Sequence, residues 1–166
     1  FYAENTESIN YLPLPSDGNF DLIISPSAGY STELFVDKLD FDGEVIFYDY
    51  CQENIDIKRN IVEMNMSMEE IKLLARMTDH HIVFSDSNNS RKKQLESRTK
   101  SFGTAEELRN LQMKMYDNHD INYWVMDFVK PDYSNLINKV TDKRVFINTS
   151  NIFSYHISHL RYTLDE

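Results

Sequence analysis

The chain has 166 residues, which is enough to bury a hydrophobic core and is the usual size of a single domain. A hydrophobic fraction of 41%, with ten Tyr and ten Phe, excludes a disordered chain despite its many charged residues. The net charge of −10 opposes a phosphate backbone, so we expect no nucleic-acid partner.

The cysteine content and the lengths of the apolar runs indicate the cellular compartment of the protein. Cys51 is the only cysteine, which excludes an internal disulfide in this sequence and fits a reducing compartment. No apolar run has the length of a membrane span, and no basic segment followed by an apolar one opens the chain. We therefore predict a cytoplasmic protein with no membrane partner.

The first half of the chain predicts two strands around a helix. Residues 1–20 read as an extended lead-in, because prolines disfavour helix directly before them. The apolar run over 21–25 predicts a strand that is buried on both faces of a parallel sheet. Ser31 or Thr32 can cap the helix that follows, and a second apolar run over 44–49 predicts the next strand.

The second half continues the alternation. Apolar residues recur at helical spacing after residue 50, and the segment 67–120 is predicted as a mainly helical insertion that begins with a capping box. Within it, residues 81–84 fit either a short strand or the end of a helix. Two more strands are predicted over 122–126 and 144–147, with a helix between them.

Apolar strands separated by helices predict an α/β fold, because parallel neighbours need crossover helices. We expect a three-layer sandwich in which a mostly parallel sheet has helices on both faces. The prediction treats residues 1–166 as a single domain. In such sheets, ligands bind outside the carboxyl ends of the strands, where the winding direction reverses.

Small and polar residues follow the predicted strands. Ser25, Ser27 and Gly29 form a small-residue turn after the first strand, and Asp49 ends the second strand about twenty residues later. A carboxylate at that spacing can accept hydrogen bonds from the two hydroxyls of a ribose. Asp127 ends the next strand. The pattern therefore predicts a nucleoside site.

This arrangement resembles the class I S-adenosylmethionine-dependent methyltransferases. The resemblance covers about residues 21–66 and 121–155 and implies a Rossmann-like domain with S-adenosylmethionine as its cofactor. In that family, a glycine-rich turn after the first strand passes under the methionine end of the cofactor. By resemblance, the turn consists of Ser25, Ser27, Gly29 and Tyr30.

The resemblance also implies roles for residues at the later strand ends. Asp49 and Tyr50 would hold the ribose hydroxyls, and Asp127 and Phe128 would contact the adenine. Asn151 would lie in the loop beside the methyl group and the substrate. No catalytic residue is assigned, because transfer from an activated methyl donor depends mainly on positioning.

The chain departs from the family pattern at two places. The family turn usually has an acid and three alternating glycines, whereas this chain, aligned on Gly29, has Ile23 for the acid and Ser25 and Ser27 for two glycines. The family fold also continues through further strands after the point where this sequence ends. A partner chain could complete the sheet edge, so we expect a homodimer.

Three functions fit this pattern. The first is a methyltransferase that acts on a small molecule or another acceptor. The second is a noncatalytic Rossmann-like binding or interaction module, which the serines of the turn favour. The third is an enzyme that binds a nicotinamide cofactor or a nucleotide sugar, since Asp49 suits any ribose. We predict no metal site, because His80-His81 and the pair His156 and His159 have no further matched ligands.

Overall fold

The computed structural model describes Leu14, residues 19–64, Met66, Glu70, and residues 105–127 and 133–149. The first elements are β1 (Leu22–Pro26), α1 (Ser31–Lys38), β2 (Glu44–Asp49) and α2 (Gln52–Glu63). They are followed by α3 (Ala105–Asn118), β3 (Ile121–Val125), α4 (Tyr133–Val140) and β4 (Val145–Ile147).

The four strands form one sheet in the order β3-β2-β1-β4, and every neighbouring pair is parallel. Ile23 of β1 lies opposite Val45 of β2 on one side and Phe146 of β4 on the other. The predicted α/β fold with a mostly parallel sheet is therefore confirmed.

Helices cover both faces of this sheet. Because side chains alternate along a strand, Ile23 and Phe47 face the helices α1, α2 and α3 in one core. Ile24 and Ile46 point the other way and pack against Leu136 of α4 in a second core. Burial on both faces explains why β1 and β2 are continuous apolar runs.

Helix α1 begins differently from the prediction. Tyr30 is the N-cap residue, and no side chain caps the helix, so the assignment of the cap to Ser31 or Thr32 is wrong. The physical reason is that both hydroxyls have other partners: Thr32 bonds to Ser25, and Ser31 accepts a hydrogen bond from Asn148. Burial of this turn replaces the local cap with contacts to distant residues.

Several predicted segments lie outside the described residues, among them most of the lead-in over 1–20, the helix predicted from residue 67 and the segment 81–84. Within the helical insertion, α3 is described and begins at Ala105. The single-domain organisation stays a prediction. None of the helices in the described part of the chain has the length and apolar character that a membrane span requires.

Candidate functional site

The direction of winding reverses between β1 and β4. From β1 the chain moves outward through β2 to β3 with α1, α2 and α3 on one face, and then returns across the other face through α4 to β4. Rossmann-like sheets bind ligands at such a reversal, outside the carboxyl ends of the strands. The loops after β1, β2 and β4 are therefore the candidate site.

The β1–α1 turn is tightly held and faces inward. Ser25 and Ser27 are fully buried, and the Ser27 backbone N–H donates to the Tyr48 carbonyl oxygen at 2.9 Å. Gly29 has a φ of 67°, a conformation that glycine adopts without strain. Neither serine has a positive φ. The turn therefore needs glycine only at Gly29, and the two serines adopt their conformations without backbone strain.

A network of buried polar groups joins this turn to β4. The Asn148 side-chain amide, just after β4, donates to the hydroxyls of Ser25 at 3.0 Å and Ser31 at 3.2 Å. Thr32 donates to the same Ser25 oxygen at 2.7 Å. The Tyr48 hydroxyl donates to the Asn148 carbonyl oxygen at 3.1 Å, and burial raises the pKa of Tyr48, with Asp49 adding to the effect. These hydrogen bonds hold the β1–α1 turn against the carboxyl ends of β2 and β4.

Asp49 lies half-buried at the end of β2, with its carboxylate held by three donors. Its Oδ2 accepts from the Ser27 hydroxyl at 2.8 Å, and its Oδ1 accepts from the Cys51 backbone N–H at 3.0 Å and the Asn54 amide at 3.1 Å. Two carboxylate oxygens accept about four hydrogen bonds in all. The carboxylate is thus fixed in orientation and retains acceptor capacity on Oδ2.

The structure brings the end of β3 beside this acid. The Met126 backbone N–H donates to the Asp49 carbonyl oxygen at 2.8 Å, so Asp127 follows directly after that contact. Tyr50 is 63% exposed next to Asp49. The predicted ribose and adenine residues Asp49, Tyr50 and Asp127 thus share one edge, whereas Phe128 and Asn151 lie outside the described residues.

A groove of about 680 Å³ runs between β3 and α4. Trp124 and Met126 line it from the strand, Leu136 lines it from the helix, and Asp127 lies at the carboxyl end of the strand. Its size is in the range of small-molecule sites, and its lining combines apolar surface with a few polar groups. The groove therefore offers space at the carboxyl end of β3, which lies next to Asp49 at the end of β2.

A buried ion pair lies beneath the β1–α1 turn. Lys58 of α2 donates to Glu33 of α1 at 2.6 Å and to the Gly29 carbonyl oxygen at 2.9 Å. Its Nζ also lies 4.6 Å from the centre of the Phe47 ring. The side chain of Lys58 is 1% exposed and that of Glu33 is fully buried. The ion pair therefore holds the glycine of the turn against α2.

Four residues that build this edge have no role predicted from the sequence: Glu33, Asn54, Lys58 and Asn148. Of the four, only Lys58 could have been recognised from the sequence. It lies three residues after Ile55 and three before Ile61, on the apolar face of α2. A lysine at such a position is expected to be buried against a partner. The other three are unremarkable polar residues in the sequence.

Cys51 follows the site but is poorly suited to act as a nucleophile. Burial and a hydrogen bond from its Sγ to Glu53 raise the pKa of the thiol above its ordinary value of 9.0. A raised pKa lowers the fraction of reactive thiolate. Within the described residues, no group of three or more His, Cys, Asp or Glu side chains is placed to bind a metal ion.

The sheet order, the helices on both faces and the site at the winding reversal define an α/β protein with a Rossmann-like fold. Comparisons of the chain with protein-family models, with curated proteins and with solved structures gave no match.

Proposed function

We propose that this protein binds S-adenosylmethionine at the carboxyl edge of its sheet and transfers the methyl group to a small molecule. The observation that supports this most strongly is the carboxylate of Asp49. It ends β2 beside the buried turn after β1, is fixed by three donors, and keeps acceptor capacity on Oδ2. This is the position and the chemistry that a ribose hydroxyl requires.

The neighbouring residues fit the same cofactor. Asp49 would hold the ribose, Asp127 and the groove behind it would hold the adenine, and the turn at Gly29 would lie along the methionine part. The buried side chains of Ser25 and Ser27 leave the outer surface of the turn to the backbone. S-adenosylmethionine, when bound, supplies an activated methyl group to a nucleophile that the protein positions. We place this activity in the cytoplasm.

Isothermal titration with S-adenosylhomocysteine tests the proposal. We expect the natural chain to bind, and the Asp49→Ala variant to bind about tenfold to a hundredfold more weakly, because a charge-assisted hydrogen bond is worth about 1.5–3 kcal/mol. Asp42→Ala is the matched control, since it removes an exposed acid at the opposite end of β2.

Two outcomes contradict the proposal: no heat of binding from the natural chain, or unchanged affinity in Asp49→Ala. Because Asp49 also accepts hydrogen bonds within the protein, circular dichroism must show that the variant is folded. Asp49→Asn keeps the size of the side chain and serves as the second variant, with a weaker expected loss.

One observation favours a noncatalytic binding or interaction module instead. The hydroxyls of Ser25 and Ser27 are both bound inside the protein, by Thr32, Asn148 and Asp49. A turn closed in this way also suits a fold that has kept its shape without a cofactor. In that case, neither S-adenosylhomocysteine nor NADH produces heat on titration.

A further inference from the structure

The ion pair of Glu33 and Lys58 lies beneath the turn between β1 and α1, next to the helix N-terminus at which nucleotide-binding turns usually receive phosphate. Helix N-termini attract anions because their free N–H groups and the helix dipole present partial positive charge. Glu33 is in the first turn of α1 and is fully buried there. A fixed carboxylate thus already occupies the region of favourable potential.

Glu33 is paired with Lys58 through only one of its two carboxylate oxygens. Lys58 contacts its Oε1, whereas its Oε2 has no hydrogen-bond partner among the residues that the structure describes. The charge of Glu33 also acts on the start of the helix. Burial raises the pKa of Tyr30, the N-cap residue, and the charge of Glu33 raises it further. An incoming phosphate would meet a helix start whose partial positive charge the Glu33 carboxylate already offsets, so the turn offers the phosphate no net attraction.

Lys58 cannot supply the positive charge that a phosphate site needs. Phosphate sites often use a lysine that points into the loop, but here the ammonium is buried and already donates to Gly29 and Glu33. Moving it to a ligand would leave the Glu33 carboxylate buried without a partner, which is strongly destabilising. The Lys58 ammonium is therefore not available to bind a phosphate.

We infer that Glu33 is a specificity-determining residue that makes the site reject phosphorylated ligands and accept nucleosides without phosphate. This inference rests on the proposed nucleoside site and narrows its ligand class. It favours S-adenosylmethionine over nicotinamide dinucleotides and nucleotide sugars, because the methionine part balances its carboxylate with an ammonium and a sulfonium group, whereas phosphates carry only negative charge. The discrimination comes from a charge under the turn and needs no clash between side chains.

Titration of the natural chain with adenosine, 5′-AMP and NADH tests the inference. We expect adenosine to bind at least tenfold more tightly than 5′-AMP. In Glu33→Gln, the affinity for 5′-AMP relative to adenosine should rise at least fivefold, because Lys58 keeps its charge and the opposing carboxylate is gone. Glu63→Gln is the matched control: it removes an exposed acid at the far end of α2 and should leave the ratio unchanged.

The outcomes separate the inference from the proposed function. Binding of 5′-AMP by the natural chain as tightly as adenosine overturns the inference and leaves a nucleoside site standing. Binding of neither adenosine nor 5′-AMP overturns the inference, and the titration with S-adenosylhomocysteine then decides the proposed function separately. If Glu33→Gln does not fold, the double variant Glu33→Gln with Lys58→Met removes both buried charges, and undiminished discrimination in that variant also overturns the inference.

Discussion

At the start of β2, Gly43 lies where no side chain fits. A Cβ at this position would be 2.5 Å from the Asp21 carbonyl oxygen and 2.7 Å from Cζ of Phe41. Neither neighbour can easily move, because Phe41 is buried in the core and the Asp21 oxygen accepts the Glu44 N–H that joins β1 to β2. The absence of a side chain is therefore what lets the two central strands meet here.

We expect Gly43→Ala to lower the free energy of unfolding by about 1–3 kcal/mol, the usual cost of overpacking. Urea unfolding, monitored by circular dichroism, measures this change in the free energy of unfolding. Asp42→Ala, at the exposed neighbouring position, is the control and should change stability by less than about 0.5 kcal/mol. If Gly43→Ala is as stable as the natural chain, the turn before β2 can make room for a side chain and the prediction is wrong.

At the scale of elements, Glu44 ties helix α4 to the centre of the sheet. Its carboxylate contacts Lys139 of α4 at 2.5 Å and Lys143 of the α4–β4 loop at 3.0 Å, and it accepts from the Asn122 amide of β3 at 2.8 Å. Burial favours a higher pKa for Glu44, but the hydrogen bonds and charges of the two lysines outweigh it and lower the pKa below the ordinary 4.5.

This shift predicts a pH-dependent contribution to stability. Because the pKa is lower in the folded state, the contribution is fully present above about pH 4.5 and is lost as the pH falls through the folded-state value. Glu44→Gln should destabilise by about 1 kcal/mol at pH 7, a modest value because water screens the partly exposed lysines.

Urea unfolding at several pH values is the measurement. The difference between Glu44→Gln and the natural chain should shrink steadily below pH 4.5. Glu106→Gln, which alters an exposed acid on α3, controls for the general effect of removing one charge. A difference that stays constant down to pH 3 would mean that the lysines do not act through the charge of Glu44.

At the scale of the whole molecule, β3 and β4 are the outer strands of the described sheet and are only partly buried. Outer strands present backbone groups that can pair with another chain. The homodimer expected from the sequence remains a prediction. We assign it to β3, because β3 has five residues against three in β4, and its Val125 is 51% exposed.

Sedimentation equilibrium should give about twice the chain mass of 19.6 kDa. Val125→Lys should shift the chain toward monomer, because a lysine on an edge strand opposes pairing. Met113→Lys, which adds the same charge at an exposed position on α3, should leave the dimer intact. A natural chain that is monomeric at every concentration would contradict the prediction.

The sequence by itself determined the α/β class and the positions of its strands. Strands such as β1 and β2 are buried on both faces, so their apolar runs are visible locally, and the acid that ends β2 is visible with them. The predicted bounds of β2 are the observed ones, and the run predicted for β1 over 21–25 begins and ends one residue before Leu22–Pro26.

Only the tertiary structure decided how the site is built. Asn148 bonds to Ser25, which is 123 residues away in the sequence, and Lys58 pairs with Glu33, which is 25 residues away. A local sequence pattern cannot predict contacts at these separations. Ser31 and Thr32 do not cap α1 because Ser31 accepts a hydrogen bond from Asn148 and Thr32 donates one to Ser25. Hydrophobic periodicity is set by neighbours along the chain, whereas the pairing of buried polar groups is set by packing between elements.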